Sequence, residues 1–380
     1  MRKFVAPEFI FGNNARNLAA LYAKNLGASK VLLVTDPGII EAGWVKDVTA
    51  KLEAENIGYH IYHHVNPNPR ETEVEEGVEV YNREKCNLLI AVGGGSPIDC
   101  AKGIGIASTN NLHILEFEGV DKIPTPAPPL ICVPTTAGSS ADISQFCIIT
   151  NTQEKNKITI ISKALVPEVS LIDPVVTTTM SPKLTAHTGL DALTHAIEAY
   201  VSNASSPVTD LNALEAINLI TLNIKCAYDE PDNLEYRSYM MLASLLAGLA
   251  FSNASLGVVH AMAHSLGGFL DSSHGESNAI LLPWAIEFNY DTCEEKYKII
   301  GKTMGLNLNG RNSTEKKEVI INRLKLLQEE LNLPPSLRAI GLKESFIKQL
   351  ADKAINDPCV YTNPKKPTVS DIEGIYKNAL

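Results

Sequence analysis

A chain of 380 residues is long enough for two buried cores, and 45% hydrophobic with 20% charged residues is the composition of an ordinary globular protein. The formal net charge of −10 excludes nucleic acid or an anionic membrane surface as the main partner, because both need a basic face. Seven cysteines without a CxxC pair exclude a disulfide framework or a thiolate zinc site and lead us to expect a reducing, cytoplasmic setting.

The opening "MRKFVAPEFIFGNNARN" is basic and then apolar, but Pro7, Glu8 and Gly12 interrupt it, so no signal peptide is expected. Short apolar runs then alternate with amphipathic stretches. "KVLLVTD" (30–36), "GYHIYHHV" (58–65), "NLLIAVGGG" (87–95) and "PLICVPTT" (129–136) read as strands rich in Val, Ile and Leu. Between them, "EAGWVKDVTAKLEAEN" and "EVEEGVEVYNREKC" carry apolar residues at helical spacing. This alternation predicts a mostly parallel sheet with helices on both faces. "DISQFCIITNTQEKNKITIIS" reads as a hairpin about a polar turn, followed by "VSLIDP".

The pattern changes near 175–183, where Pro174 and Pro182 punctuate the chain. We therefore expect an α/β domain over 1–180 and an all-helical domain over 181–380. The most apolar stretch, "SYMMLASLLAGLAFSNASLGVVHAMAHSLGGFL", contains Asn253, His260 and His264 and reads as buried helices, not a membrane span. "PCVYTNPKKPTVS" is an expected loop before a final helix, "DIEGIYKNAL".

Two regions carry chemistry. In "LLIAVGGGSPIDCAKGIGI" a strand runs through Gly93, Gly94, Gly95 and Ser96 into a helix with Pro97 in its first turn. Glycines let the backbone approach a ligand, and a helix amino terminus offers unpaired N–H groups, so this turn suits a phosphate. Neither GxxxxGK[ST] nor GxGxxG occurs here, and a ligand-free tight turn is the competing reading. Asp36, closing the first strand, can bond a ribose diol and repel a 2′-phosphate, favouring NAD; equally, it can cap the Asp-Pro-Gly turn. "VPTTAGSSAD" adds hydroxyls at Thr135, Thr136, Ser139 and Ser140.

The second region is helical. Asp191 and His195 in "GLDALTHAIEAY" stand four apart, as do His260 and His264 in "GVVHAMAHSLGG", with His274 following a break. A carboxylate set among Leu190, Ala192 and Leu193 is expensive to bury alone. Oxygen-plus-nitrogen donors without thiolate suit a divalent ion such as Fe(II), Zn(II) or Mn(II).

Taken together, "GGGSPIDCAK", "PTTAGSSAD", "LIDP", "TGLDALTHAIEAY" and "GVVHAMAHSLGG…HG…NA" resemble, in order and spacing, the iron-containing (group III) alcohol dehydrogenases. The one departure, "TTAGSSAD" where "TTAGTGSE" is typical, keeps a hydroxyl at Ser139 and an acid at Asp142. The resemblance implies an α/β nucleotide-binding domain, an all-α domain of dehydroquinate synthase-like architecture, and a cleft between them. It assigns Asp191, His195, His260 and His274 as metal ligands. It makes His264 a further active-site histidine near the metal but not a ligand, which either supports the site or takes the proton, the ribose hydroxyls being the other route for it. On the cofactor side it points to Asp36, Asn68, Gly94, Gly95, Ser96, Asp99, Thr135, Thr136, Ser139 and Lys157. The expected activity is NAD-linked interconversion of a small uncharged alcohol or diol with its aldehyde, by a dimer or an assembly of dimers. A phosphorylated substrate, as in the related sugar-phosphate or polyol-phosphate enzymes, is the alternative. Residues 184–203 and 252–281 contain no Lys or Arg to receive one.

Overall fold

The computed structural model describes residues 3–380. Contacts divide them into two compact units, one spanning 5–179 and the other built on 180–380.

The first unit is α/β. Strands β1 (Glu8–Phe11), β2 (Lys30–Val34), β3 (Gly58–Tyr62), β4 (Leu88–Gly93), β6 (Leu130–Pro134) and β9 (Val169–Ile172) form a six-stranded sheet in the order β1-β9-β6-β4-β2-β3. Every pairing in it is parallel. Helices α1 (Ala19–Asn25), α2 (Pro37–Glu41), α3 (Trp44–Ala54), α4 (Glu71–Arg83) and α5 (Gly95–Asn110) connect the strands. Side chains alternate across a strand, so continuous apolar runs fill two cores at once. Val31 and Leu33 join a cluster that includes Val45, Val48 and Leu52 of α3. Leu32 and Val34 face the other side, in a cluster with Val74 of α4 and Ile104 of α5.

Two strands, and the short helices α1 and α2, were not anticipated from sequence. "EFIF" forms the edge strand β1, and Gly119–Val120 forms a two-residue strand, β5. The expected hairpin exists as β7 (Phe146–Asn151) and β8 (Asn156–Ile161), antiparallel, but it builds a separate sheet ordered β5-β8-β7.

From Pro182 onward the described residues form helices and connecting turns, with no strand: α6 (Pro182–Val201), α7 (Pro207–Asp229), α8 (Leu234–Ala254), α9 (Val258–Leu270), α10 (His274–Asn289), α11 (Glu294–Thr303), α12 (Ser313–Glu330), α13 (Ile347–Ala354) and α14 (Val369–Ala379). The starts follow capping chemistry. Ser181 accepts from Leu184 N ahead of Pro182, and Asn312 and Thr368 open capping boxes with Glu315 and Asp371. Among the described residues no single helix is long and apolar enough to cross a membrane. The apolar pair α8 and α9 is bent by 101° at its junction. Beyond that bend, His260 of α9 stacks on His195 of α6.

Candidate metal centre and nucleotide cradle

Successive turns of α6 carry His187, Asp191, His195 and Glu198 on adjoining positions, all buried. Helix α9 adds buried His260 and His264, and His274 is the first residue of α10. Asp191 Oδ1 lies 3.8 Å from His260 Nε2 and 3.9 Å from His274 Nε2. One donor atom each from Asp191, His195, His260 and His274 falls within 4.8 Å of the others. The His195 ring stacks on His260 at 4.5 Å and on Phe251 at 4.3 Å, so an aromatic wall closes one side. A carboxylate and three imidazoles converging, with only His274 partly exposed, is the arrangement that a cation compensates.

Several residues that hold this geometry escaped the sequence reading. Glu198 Oε2 is 2.6 Å from His260 Nδ1, and its Oε1 accepts from Val259 N at 2.8 Å. Burial pushes the Glu198 carboxyl up and the His260 imidazolium down, so the histidine stays neutral and keeps a lone pair. Asn278 Nδ2 donates to Asp191 Oδ1 at 2.7 Å and lies 3.0 Å from His260 Nε2. Gly275 sets His274 against α6, because a Cβ there would stand 2.1 Å from the His187 carbonyl oxygen. None of these roles is periodic; each depends on a tertiary neighbour.

His264 lies apart from the group of four. Its ring stacks on His274 with centroids 5.2 Å apart, while its Nδ1 is 2.8 Å from Asp357 Oδ2. Asp357 Oδ1 also accepts from Cys359 N at 2.8 Å. Burial pushes the Asp357 carboxyl up, but the His264 ring and the Cys359 bonds outweigh it and hold the acid below its ordinary range.

In the α/β unit Asp36, Gly94, Gly95, Ser96, Thr135 and Thr136 lie just beyond the carboxyl ends of β2, β4 and β6, while Asn68 follows β3, Asp99 lies within α5 and Lys157 on β8. Strand order reverses between β2 and β4, the switch point where open α/β sheets bind ligands. Gly94 and Gly95 lead into α5, with Thr136 and Ser139 packed over them. A Cβ on Gly94 would lie 3.1 Å from Thr136, and one on Gly95 2.9 Å from Ser139 Oγ. Ser96 follows in the first turn of α5, and the Thr135 hydroxyl is buried with no hydrogen-bond partner among the described residues. Lys157 donates to Asn68 Oδ1 at 2.7 Å, joining two predicted residues from distant segments. Asp36 and Asp99 serve the fold directly. Asp36 caps α2 through Ile39 N, its pKa raised by burial, and Asp99 accepts from Ile148 N.

Two family models match the chain: iron-containing alcohol dehydrogenase over residues 6–174, and the C-terminal part of the Fe-containing alcohol dehydrogenase family over 185–380. A 1,3-propanediol dehydrogenase of Citrobacter freundii is 41% identical over 372 residues, covering 97% of this chain and 96% of the relative. An NAD-dependent methanol dehydrogenase of Bacillus methanolicus is 34% identical over 99% of both chains. The crystal structure of a 1,3-propanediol oxidoreductase superposes over 100% of both chains with a TM-score of 0.96 and 40% identity.

Proposed function

This chain belongs to the iron-containing alcohol dehydrogenase family, and from that premise we propose that it interconverts a small uncharged alcohol or diol with its aldehyde, using NAD and a divalent ion. It is an oxidoreductase acting on alcohols. The observation that carries the metal assignment is the convergence of Asp191, His195, His260 and His274 within 4.8 Å. One carboxylate oxygen and three imidazole nitrogens fit a divalent first-row ion, and we propose Fe(II), with Zn(II) and Mn(II) as competitors. When bound, the ion supplies Lewis acidity to the alcohol oxygen, and the nicotinamide supplies the hydride acceptor.

The chain's own residues do the rest. Glu198 and Asn278 hold His260 and Asp191 in place. With Asp357 bonded to its Nδ1, His264 keeps Nε2 for proton exchange, and we assign it the removal of the alcohol proton. Gly94, Gly95, Ser96, Thr135, Thr136 and Ser139 supply backbone donors and hydroxyls for the dinucleotide phosphates. The unpartnered Thr135 hydroxyl and the room left by the two glycines support that fit. Asp36, together with the Asn68–Lys157 pair, is assigned to the ribose, with Asp36 favouring NAD over NADP.

Phe251, Leu256 and Val259, buried near the ligand cluster, support a small uncharged substrate. A phosphorylated substrate is not favoured, since residues 184–203 and 252–281 lack Lys and Arg. Free thiols at all seven cysteines support a cytoplasmic setting. The edge strand β1, with Phe9 and Phe11 each 39% exposed, supports assembly into dimers. The test is NADH formation across a panel of short alcohols and diols, run alongside metal analysis. Turnover of phosphorylated polyols alone would overturn the substrate class.

A further inference from the structure

The three residues joining α8 to α9 adopt an improbable course. Ser255 has φ 60° and ψ −172°, a backbone region that only glycine occupies at ease. Such a conformation persists when surrounding contacts over-determine it, and here they come from two distant segments. Ser202 Oγ donates to Ala254 O and Thr362 Oγ1 donates to Leu256 O at 2.7 Å. Val258 N donates to Asn363 Oδ1 at 3.1 Å. The backbone N–H groups of Gly257, Val259 and His260 all lie within the reach of Glu198. Gly257 admits these groups because a Cβ would stand 2.7 Å from Asn363 Oδ1 and 2.8 Å from Glu198 Oε1.

Glu198 therefore does two jobs with one carboxylate. Oε1 closes the amino end of α9 in place of a local cap, and Oε2 meets His260 Nδ1 at 2.6 Å. The Asn278 amide nitrogen, 3.0 Å from His260 Nε2, can only donate, so Nε2 carries the lone pair, the ring proton sits on Nδ1 towards Glu198, and Nε2 lies 3.8 Å from Asp191 Oδ1. Helix position and ring tautomer are thus set by the same group.

We infer that Glu198 is a positioning residue of the metal centre, which fixes His260 as an Nε2 donor while anchoring the helix that carries it. This rests on the ligand assignment proposed above. Glu198→Gln isolates the second job. The amide oxygen can still accept from Val259 N, but the amide N–H₂ opposite His260 requires an acceptor at Nδ1. The ring proton then moves to Nε2, the atom the ion needs.

The experiment is a Co(II) titration of metal-free protein, read by visible absorption, alongside the thermal melt of each metal-free chain. E198Q is expected to bind Co(II) about 10- to 100-fold more weakly, as loss of such outer partners does, with an almost unchanged melt. Asn363→Ala removes the neighbouring cap without touching the ring, so it should lower the melt and leave Co(II) affinity little changed. Wild-type uptake matched by E198Q would overturn this inference alone. Equal losses of affinity in N363A and E198Q would assign the effect to helix position and overturn it too. No uptake by the wild type would overturn the ligand assignment itself and the inference with it. Should E198Q fail to fold, ¹⁵N-histidine spectra of the wild type decide: a proton on Nδ1 of His260 supports the inference, and one on Nε2 overturns it.

Discussion

Gly275 lies against the backbone of His187, so close that a Cβ would come within 2.1 Å of the His187 carbonyl oxygen. The contact brings the start of α10 onto α6 and seats His274 beside Asp191. Backbone cannot yield as a flexible side chain does, so Gly275→Ala must push the two helices apart. The expected cost is about 2–4 kcal/mol of stability, with loss of bound metal. Thermal melts and metal content of the purified variant check both parts.

His264 and Asp357 form a hydrogen-bonded pair that does not belong to the group of four. If His264 handles the proton, His264→Ala should lower kcat on the order of 10²-fold or more while metal content stays unchanged. Asp357→Asn should shift the pH profile of kcat, because the ring loses the acceptor that fixes its tautomer. Unchanged turnover and an unchanged profile in His264→Ala would remove the residue from proton transfer.

Asp36→Ser separates two roles of one side chain. Serine still caps α2 through the Ile39 N–H, so the fold should hold. The negative charge that would repel a 2′-phosphate is lost, and kcat/KM with NADP should rise relative to NAD. Steady-state kinetics with both cofactors check this; no gain with NADP would leave Asp36 as a cap alone.

Burial, aided by the charge of Lys183, pushes the His187 pKa down to about 4 from its ordinary 6.5. Between those values the unfolded chain binds a proton that the folded chain refuses, so stability falls as pH drops from about 6.5 to about 4. Above 6.5 this group contributes no slope. The loss at the acid end should be about 1–3 kcal/mol. Denaturant titrations of the wild type and His187→Gln across that range should show a flatter profile in the variant.

Much of this was legible in the chain, for a physical reason. The parallel sheet follows from apolar runs such as Val31 to Val34, whose alternate side chains must be covered on both faces. Asp191 with His195, and His260 with His264, announce themselves because helical spacing puts each pair on one face. Spacing alone could not separate His264 from His260; that distinction came from the family resemblance, and in the structure Asp357 engages His264 while Glu198 engages His260. Those two acids lie 93 and 62 residues from their histidines, a separation that no local pattern reports. The strands β1 and β5 are too short to show an alternation, and the strain at Ser255 is invisible until α8 and α9 are seen to bend.

The central claim is that alcohol oxidation here needs one divalent ion held by Asp191, His195, His260 and His274. The direct measurement is NAD-linked alcohol oxidation by protein stripped with a chelator, followed by titration with Fe(II), Zn(II) and Mn(II). The account predicts that activity disappears on stripping and returns as about one ion binds per chain, and that Asp191→Ala and His274→Ala neither bind the ion nor recover. Full activity in protein shown to be free of metal would contradict it.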